Sequence, residues 1–384
     1  MEVFFILLNV AVFFGGKSCE HDVSVITGVL TVNTLDKNLF NPIPIFISKN
    51  GDWFTGNKLN DVGFYKAENY SKLKKVTFIS NDSFLYQKGI TYKKLCKIDV
   101  AINCMHGLNG EDGSLAGTLK LLGIPLASPS LFGSSFAMDK DYTKTVLKGL
   151  KIGCLPYVKI YKKDYNSDWQ KTIKNIKIKY PLIIKPANLG SSIGISTAKS
   201  EYEVKKALDL AFSYDTKVII EPKLTNFIEL NCSAYKKGDS IIVSNVERPM
   251  SASEILTFKD KYELFKGGSM REFPAKIDSE ITEKIKETTQ KIYERCDFNG
   301  IIRIDYILQD KLYLNEINTV PGSLAYYLFS DTIKGFSKIL TDIINQTLAD
   351  FNEYSKQKFL YKSTVLKING VKGGKLKSFD NKKS

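Results

Sequence analysis

A chain of 384 residues, 43% hydrophobic and 25% charged, has ordinary globular composition, and at roughly 150 residues per domain it has room for two or three domains. Its net charge of +14 favours anionic partners such as phosphates and nucleotides. There is no basic stretch interleaved with stacking aromatics and no helix-turn-helix pattern, so a nucleic-acid binder rests on charge alone; six cysteines without a CxxC pair and only two histidines speak against a disulfide framework and a zinc site, and fit a reducing, cytoplasmic setting.

The first segment, "MEVFFILLNVAVFFGG", carries an acid at Glu2 and lacks both a basic n-region and a small-residue cleavage site. It falls short of the ~20 apolar residues of a membrane helix, so it reads as a buried first strand ending at Gly15-Gly16, with no membrane partner. "IPIFIS", "IDVAINCMHG" and "GIPLAS" are further short strands, with "SLAGTLKLLG" a helix between the last two. This is the pattern of an open α/β sheet over residues 1–128, which binds ligands at the loops following its strands. His21, in "FFGGKSCEHDVSV", and His106, in "MHGLNGEDGSLAGTL", each follow such a strand. Either alone reads as a surface residue or a cap; both in Gly/acid loops favour a ligand site.

Residues 129–221 form a second unit. "SSFAMDKDYTKTVLKGLK" reads as one helix carrying Lys140 and Lys144, solvated by default or facing a phosphate. "YPLIIKP" is a strand, "EYEVKKALDLAFSY" an amphipathic helix and "KVIIEP" another strand. Between them "KPANLGSSIGIST", Lys185 to Thr197, combines glycines, hydroxyls and a cation; it lacks the GK[ST] ending of a Walker A loop and reads equally as a triphosphate cover or a hairpin turn. The third unit, 222–365, holds a loop, "SASEILTFKDKYELFKGGSMREFPA", and a helix, "SEITEKIKETTQKIYERC", with Ile281, Ile285 and Ile292 near one face. It also contains "RIDYILQDKLYLNEINTVPG", two strands joined by a hairpin link. Alternation puts Arg303, Asp305 and Ile307 on one face of the first strand and Leu312, Leu314, Glu316 and Asn318 on one face of the second. Asp305 would then approach Glu316 and Asn318. Two carboxylates that close repel unless protonated or bridged by a cation, and oxygen-only ligands suit Mg2+ rather than zinc. A salt bridge from Arg303 to Asp305 or Glu316 is the plainer alternative. Residues 366–384 belong to a lysine-rich, solvated tail.

Seven stretches in order, from "FFGGKSCEHDVSV" through "HGLNGEDGSLAGTLKLLGIPLASP", "AMDKDYTK", "YPLIIKPANLGSSIGIS", "VIIEP" and "DKYELFKGGSMREFPA" to the hairpin, make the chain similar to the D-alanine–D-alanine ligase family of ATP-grasp enzymes. The resemblance implies a three-domain ATP-grasp α/β fold: an N-terminal open parallel-sheet domain that binds substrate, a central ATP-grasp subdomain, and a C-terminal ATP-grasp subdomain with the metal site. It implies ATP as a substrate, held by Lys140, Lys185, Ser192 and Lys261 at the phosphates, Glu221 and the Leu224 backbone at adenine, and Glu229 at the ribose. Asp305, Glu316 and Asn318 would bind two Mg2+ ions, or Mn2+ in their place. His106, Glu20 and Val23 would adjoin the first amino acid. Glu20, Ser191 and Tyr262 would link the closing loops, and Arg303 with the Gly322 N–H would stabilise a tetrahedral oxyanion. The implied reaction makes D-alanyl-D-alanine for peptidoglycan precursors through an acyl phosphate, and the resemblance extends to homodimers.

The chain departs from the family pattern after "NTVPG". Where the family continues with Thr, then a Ser that holds the acceptor carboxylate, then Pro, this chain reads "SLAYYLFSD" and places Tyr327 at the Ser position. Tyr327 can present its own hydroxyl, Ser323 can substitute, or the acceptor differs: D-serine, D-lactate or another amine. A non-catalytic ATP-binding regulator is the alternative of a different class. Pro222, and the absence of the family's Gly-Arg before Glu229, are further departures; neither removes the expected adenine contacts.

Overall fold

A computed structural model describes residues 7–79, 82–250 and 271–363. Lys261 and Tyr262 lie outside the described residues, as does the tail 366–384.

The first sheet is built from β1 (Leu8–Gly15), β2 (Phe40–Ile47), β3 (Trp53–Thr55), β4 (Lys74–Phe78), β5 (Phe84–Gln87), β6 (Lys93–Lys97) and β7 (Val100–Asn103), in the order β6-β5-β4-β3-β2-β1-β7. It is parallel across β2-β1-β7 and antiparallel from β3 outward. Val10 to Phe14 are all fully buried. Strands covered on both faces have no reason to alternate, which is why β1 reads as an unbroken apolar run. Helix α1 (His21–Thr34) covers one face, with Gly28 against Phe14. The expected strand "GIPLAS" makes only an isolated parallel bridge, Ala101 to Leu126. Pro125 has no N–H to extend a ladder, and its carbonyl accepts from the Ala101 N–H at 2.8 Å.

Helix α2 (Ser114–Leu121) follows β7. The single helix expected over 134–151 is two, α3 (Leu131–Met138) and α4 (Lys140–Gly149). Asp139 separates them in extended conformation and caps α4 by accepting from the N–H groups of Asp141 (3.0 Å) and Tyr142 (3.2 Å). A second, antiparallel sheet follows: β8 (Val158–Tyr161), β9 (Leu182–Pro186), β10 (Ser196–Ala198) and β11 (Lys217–Pro222), ordered β10-β9-β11-β8. Its apolar face packs on Val204, Leu208, Ala211 and Phe212 of the helix Glu201–Tyr214, whose bounds are those read from the sequence.

The third sheet holds β12 (Ile228–Lys237) and β13 (Ser240–Val243) with, after the two-residue pair β14 (Arg248–Pro249) and β15 (Arg271–Glu272), β16 (Ile301–Leu308) and β17 (Leu312–Asn318), in the order β13-β12-β16-β17. Ile285 and Ile292 of the helix Ser279–Arg295 are buried against it, with Ile281 at the margin, as the apolar spacing predicts. Phe136 and Leu147, from α3 and α4, share that core. Val320, Leu324, Phe336 and Leu340 instead join the core of β1 and α1, so the chain after the last hairpin returns to the first sheet. Residues 349–363 fall in a separate unit. Among the described residues no helix is long and apolar enough to cross a membrane.

Candidate active site

The site is organised by an irregularity in the last hairpin. Strands β16 and β17 pair Leu308 with Leu312 and Tyr306 with Leu314, but then Asp305 with Glu316 and Arg303 with Asn318. Asn315 is the extra residue of a β-bulge, and it reverses the face of everything after it. Leu314 therefore lies in the core beside Tyr306, while Glu316 and Asn318 join Arg303 and Asp305 on the opposite face. Unbroken alternation had placed Leu312, Leu314, Glu316 and Asn318 together. The expected approach of Asp305 to Glu316 and Asn318 is present, through the bulge. Strand β12 adds Glu229 and Asn231 to the same face, Asn231 registering with Asp305.

Arg303 grips Asp305 in a two-pronged pair, Nε to Oδ1 at 2.7 Å and Nη2 to Oδ2 at 2.8 Å, and Asn318 Nδ2 donates to Oδ2 at 3.0 Å. The plain salt bridge considered for this stretch thus exists within the same cluster. Among the described residues no group of three or more His, Cys, Asp and Glu gathers as a metal site. The donors present are two carboxylates and an amide oxygen, a set that fits a hard, oxygen-preferring cation and not zinc.

Two lysines approach this polar face, and a third lies behind it. Lys140, at the start of α4, donates to the Leu189 carbonyl at 2.6 Å and stands 4.0 Å from Glu316 Oε2. Burial pulls its pKa down, against the opposing charge of Glu316. Lys185, on β9, sits 2.7 Å from Glu221 Oε2 and 3.4 Å from the Oδ1 of the bulged Asn315. Lys144 is neither solvated nor at the polar face; its Nζ is 2.5 Å from Glu221 Oε1 and its side chain is 2% exposed. Burial alone would raise the Glu221 carboxyl, but Lys185 and Lys144 outweigh it and hold the pKa at about 2. Leu224 lies in the link between β11 and β12, and Glu229 near the start of β12, partly buried.

Glu20 precedes α1 and is buried; the Ser191 hydroxyl donates to its Oε1. Ser191 and Ser192 both have left-handed backbone (φ 53° and 58°) in the turn after β9. Two members of the expected Glu20–Ser191–Tyr262 set therefore meet, bringing the first and second sheets together at this point. Glu20, Lys140, Glu316 and Asn318 line one cleft with Glu111. Glu111, which the sequence places in a loop without a role, accepts from the N–H groups of Gly107 (2.9 Å), Thr319 (3.1 Å) and Val320 (2.9 Å). Burial, and then the nearby charge of Glu20, push its carboxyl up to about 7.

The two histidines part company. His21 Nδ1 donates to the Gly16 carbonyl at 2.7 Å and its ring packs edge-on against Phe46, so it fastens the loop rather than facing a ligand. His106 is buried with Nε2 3.0 Å from the Thr27 hydroxyl; burial first, and Arg303 second, lower its pKa to about 3, so the ring is neutral. Val23 is buried in the first turns of α1. Beyond Gly322, the residues Ser323, Leu324 and Ala325 form a left-handed turn (φ 51°, 50° and 49°), a conformation that costs non-glycine residues on the order of 1–2 kcal/mol each. Burial of Leu324 and Ala325 and the Leu324 N–H to the Pro321 carbonyl (2.8 Å) hold it. The turn delivers Tyr327 to Arg303, with its hydroxyl 3.5 Å from Nη1, while Arg271 stacks over its ring at 5.4 Å.

Comparison with known proteins gives the arrangement a context. A family model described as the D-ala D-ala ligase N-terminus matches residues 9–129, and one described as the D-ala D-ala ligase C-terminus matches residues 146–348. A D-alanine--D-alanine ligase of Thermosipho melanesiensis is 36% identical over 94% of this chain and 99% of its own length. Among solved structures, the D-Alanine-D-Alanine Ligase of Helicobacter pylori superposes with a TM-score of 0.72 at 29% identity, covering 89% of this chain and 98% of that one. The VanG D-Ala:D-Ser ligase of Enterococcus faecalis does so with 0.74 at 28%, covering 89% and 100%. On sequence matched almost end to end and on a shared architecture, the chain belongs to the D-alanine–D-alanine ligase family.

Proposed function

We propose that the chain joins two molecules of D-alanine, with ATP converted to ADP and phosphate. A carboxylate oxygen of the first D-alanine attacks the γ-phosphorus and ADP leaves, giving an acyl phosphate. The neutral amine of the second attacks the acyl carbon, the tetrahedral adduct collapses, and phosphate leaves with the carboxylate oxygen. The observation that carries this reading is the polar face of the third sheet, where Asp305, Glu316, Asn318 and Arg303 meet Lys140 and Lys185.

The difficulty of the first step is an anion attacking an anion, and fixed cations offset it. Lys140 and Lys185, beside that polar face, are assigned to the phosphates, with Ser192 and Lys261 assigned there by the family pattern. Glu221 and the Leu224 backbone are assigned to adenine and Glu229 to the ribose. Asp305, Glu316 and Asn318 would hold Mg2+, two ions or Mn2+ in their place, which when bound neutralises phosphate charge. Glu20, Val23 and His106 are assigned to the first amino acid, and Arg303 with the Gly322 N–H to the oxyanion. The Glu20–Ser191 contact, extended by Tyr262, would close the site against water that destroys an acyl phosphate. Tyr327, beside Arg303, is assigned to the acceptor carboxylate in place of the family Ser.

The same reading treats residues 1–128, 129–221 and 222–365 as the three functional parts, with 366–384 as a tail. It places the protein in the cytoplasm, as a homodimer, making peptidoglycan precursors. It is tested by phosphate release with ATP, Mg2+ and D-alanine, followed by mass spectrometry of products formed with D-alanine, D-serine and D-lactate offered together. D-Alanyl-D-alanine as the main product is expected. A mixed product would reassign the acceptor, and no D-alanine-dependent phosphate release would overturn the reading.

A further inference from the structure

One buried hydroxyl joins three parts of the site. Thr27, in the second turn of α1, is 1% exposed. Its Oγ1 lies 3.0 Å from His106 Nε2 and accepts from the Ser323 N–H at 3.1 Å. His106 stands at the mouth of the first sheet, and Ser323 follows Gly322 and opens the left-handed turn that ends at Tyr327.

The hydrogen count at Thr27 sets the direction of each bond. A backbone N–H can only donate, so Ser323 occupies a lone pair of Oγ1. The hydroxyl hydrogen needs an acceptor at a site closed to water, and His106 Nε2 is the one acceptor within reach of Oγ1 among the described residues. His106 Nε2 must then present its lone pair. The ring is neutral, as its surroundings require, and its hydrogen sits on Nδ1, the nitrogen that makes no contact with Thr27. The chain of donors runs from Ser323 N–H to Thr27 Oγ1–H to His106 Nε2.

We propose that Thr27 is a positioning residue for the ligation, selecting the Nδ1–H tautomer of His106 and tying the turn after Gly322 to the loop beside the first amino acid. This rests on the assignment of His106 and Gly322 given above. Through Thr27, the position of a candidate oxyanion donor and the hydrogen of a candidate substrate-facing ring are fixed together. Without the hydroxyl the ring can turn or exchange its hydrogen, and the partly buried Ser323 N–H loses its acceptor, a loss worth about tenfold in an equilibrium or a rate.

The test uses the full chain with 15N-labelled histidine and nitrogen-detected imidazole spectra, which suit a protein with two histidines. His21 donates through Nδ1 to the Gly16 carbonyl, so both wild-type rings should carry their hydrogen on Nδ1. Thr27→Val, which keeps shape and removes the hydroxyl, should move one ring to the Nε2–H form or to a mixture, lower kcat about tenfold and leave the KM for ATP within about twofold. Thr27→Ser should restore the tautomer and most of kcat. A wild-type spectrum with the His106 ring, identified as the signal that survives in His21→Gln, protonated on Nε2 overturns the proposal whether or not the Val variant folds. A Thr27→Val enzyme with wild-type kcat and tautomer overturns it as well. If the wild type releases no phosphate with D-alanine, the ligase reading fails while the spectra still decide the tautomer.

Discussion

Glu221 has no contact with solvent, and each of its oxygens faces a lysine. Such a carboxylate is worth little as a net salt bridge, but removing its charge strands two buried ammonium groups. Glu221→Gln should therefore destabilise the fold by about 3–5 kcal/mol at pH 7, measured by urea denaturation. The pH dependence follows from the direction of the shift. The carboxyl titrates near its ordinary range when unfolded and at about 2 when folded, so its contribution is complete above that range and lost as pH falls toward about 2. The gap between wild type and variant should narrow over that interval; a gap that widens on acidification would contradict the assignment. At the polar face, Glu316→Gln removes one of two candidate liganding carboxylates and should cut turnover by about 100-fold or more, beyond what outer-shell changes usually cost. Near-normal turnover would remove Glu316 from the site. Asp305, Glu316 and Asn318 were readable because strand periodicity exposes a misplaced carboxylate. Lys144 and Thr27 were not, because a lysine on a polar-looking helix and a threonine in an apolar one gain meaning only from partners distant in the chain.

Among elements, α1 shows how closely helix and sheet are fitted. A Cβ on Gly28 would fall within the van der Waals shell of the Phe14 side chain on β1, itself fully buried. Gly28→Ala should cost about 1–3 kcal/mol through overpacking, more than offsetting the gain in helix propensity; an unchanged or raised urea midpoint would show that the helix can shift. The turn after Gly322 makes a different prediction. Because it places the Tyr327 hydroxyl beside Arg303, Tyr327→Ser should change the KM for the acceptor more than the KM for ATP. Equal effects would argue against an acceptor role. Element type was legible wherever the apolar pattern was long: β1, β11 and the helices at 201–214 and 279–295 match the sequence reading closely. Three features hid from it for local reasons. The Asn315 bulge inserts one residue and leaves no compositional mark, Asp139 caps a helix inside what reads as one continuous run, and Pro125 withholds the N–H that "GIPLAS" needed to be a strand.

At the scale of the molecule, the candidate groups come from all three sheets. Glu20 and His106 follow strands of the first, Lys185 and Glu221 stand on the second, and Asp305 and Glu316 on the third. Residues more than 300 positions apart in sequence share the core of β1 and α1, which gives the assembled cleft a common foundation. Periodicity cannot reveal such convergence. Seven family-like stretches in order could, because each carries its position within an architecture as well as its chemistry. The central claim is that the cleft transfers the γ-phosphoryl group of ATP to the carboxylate of one D-alanine before the second attacks, and the fate of a carboxylate oxygen tests it most directly. With D-alanine labelled by 18O in its carboxylate, ATP and Mg2+, the account predicts one 18O in each phosphate released with the dipeptide; unlabelled phosphate released alongside dipeptide would contradict it.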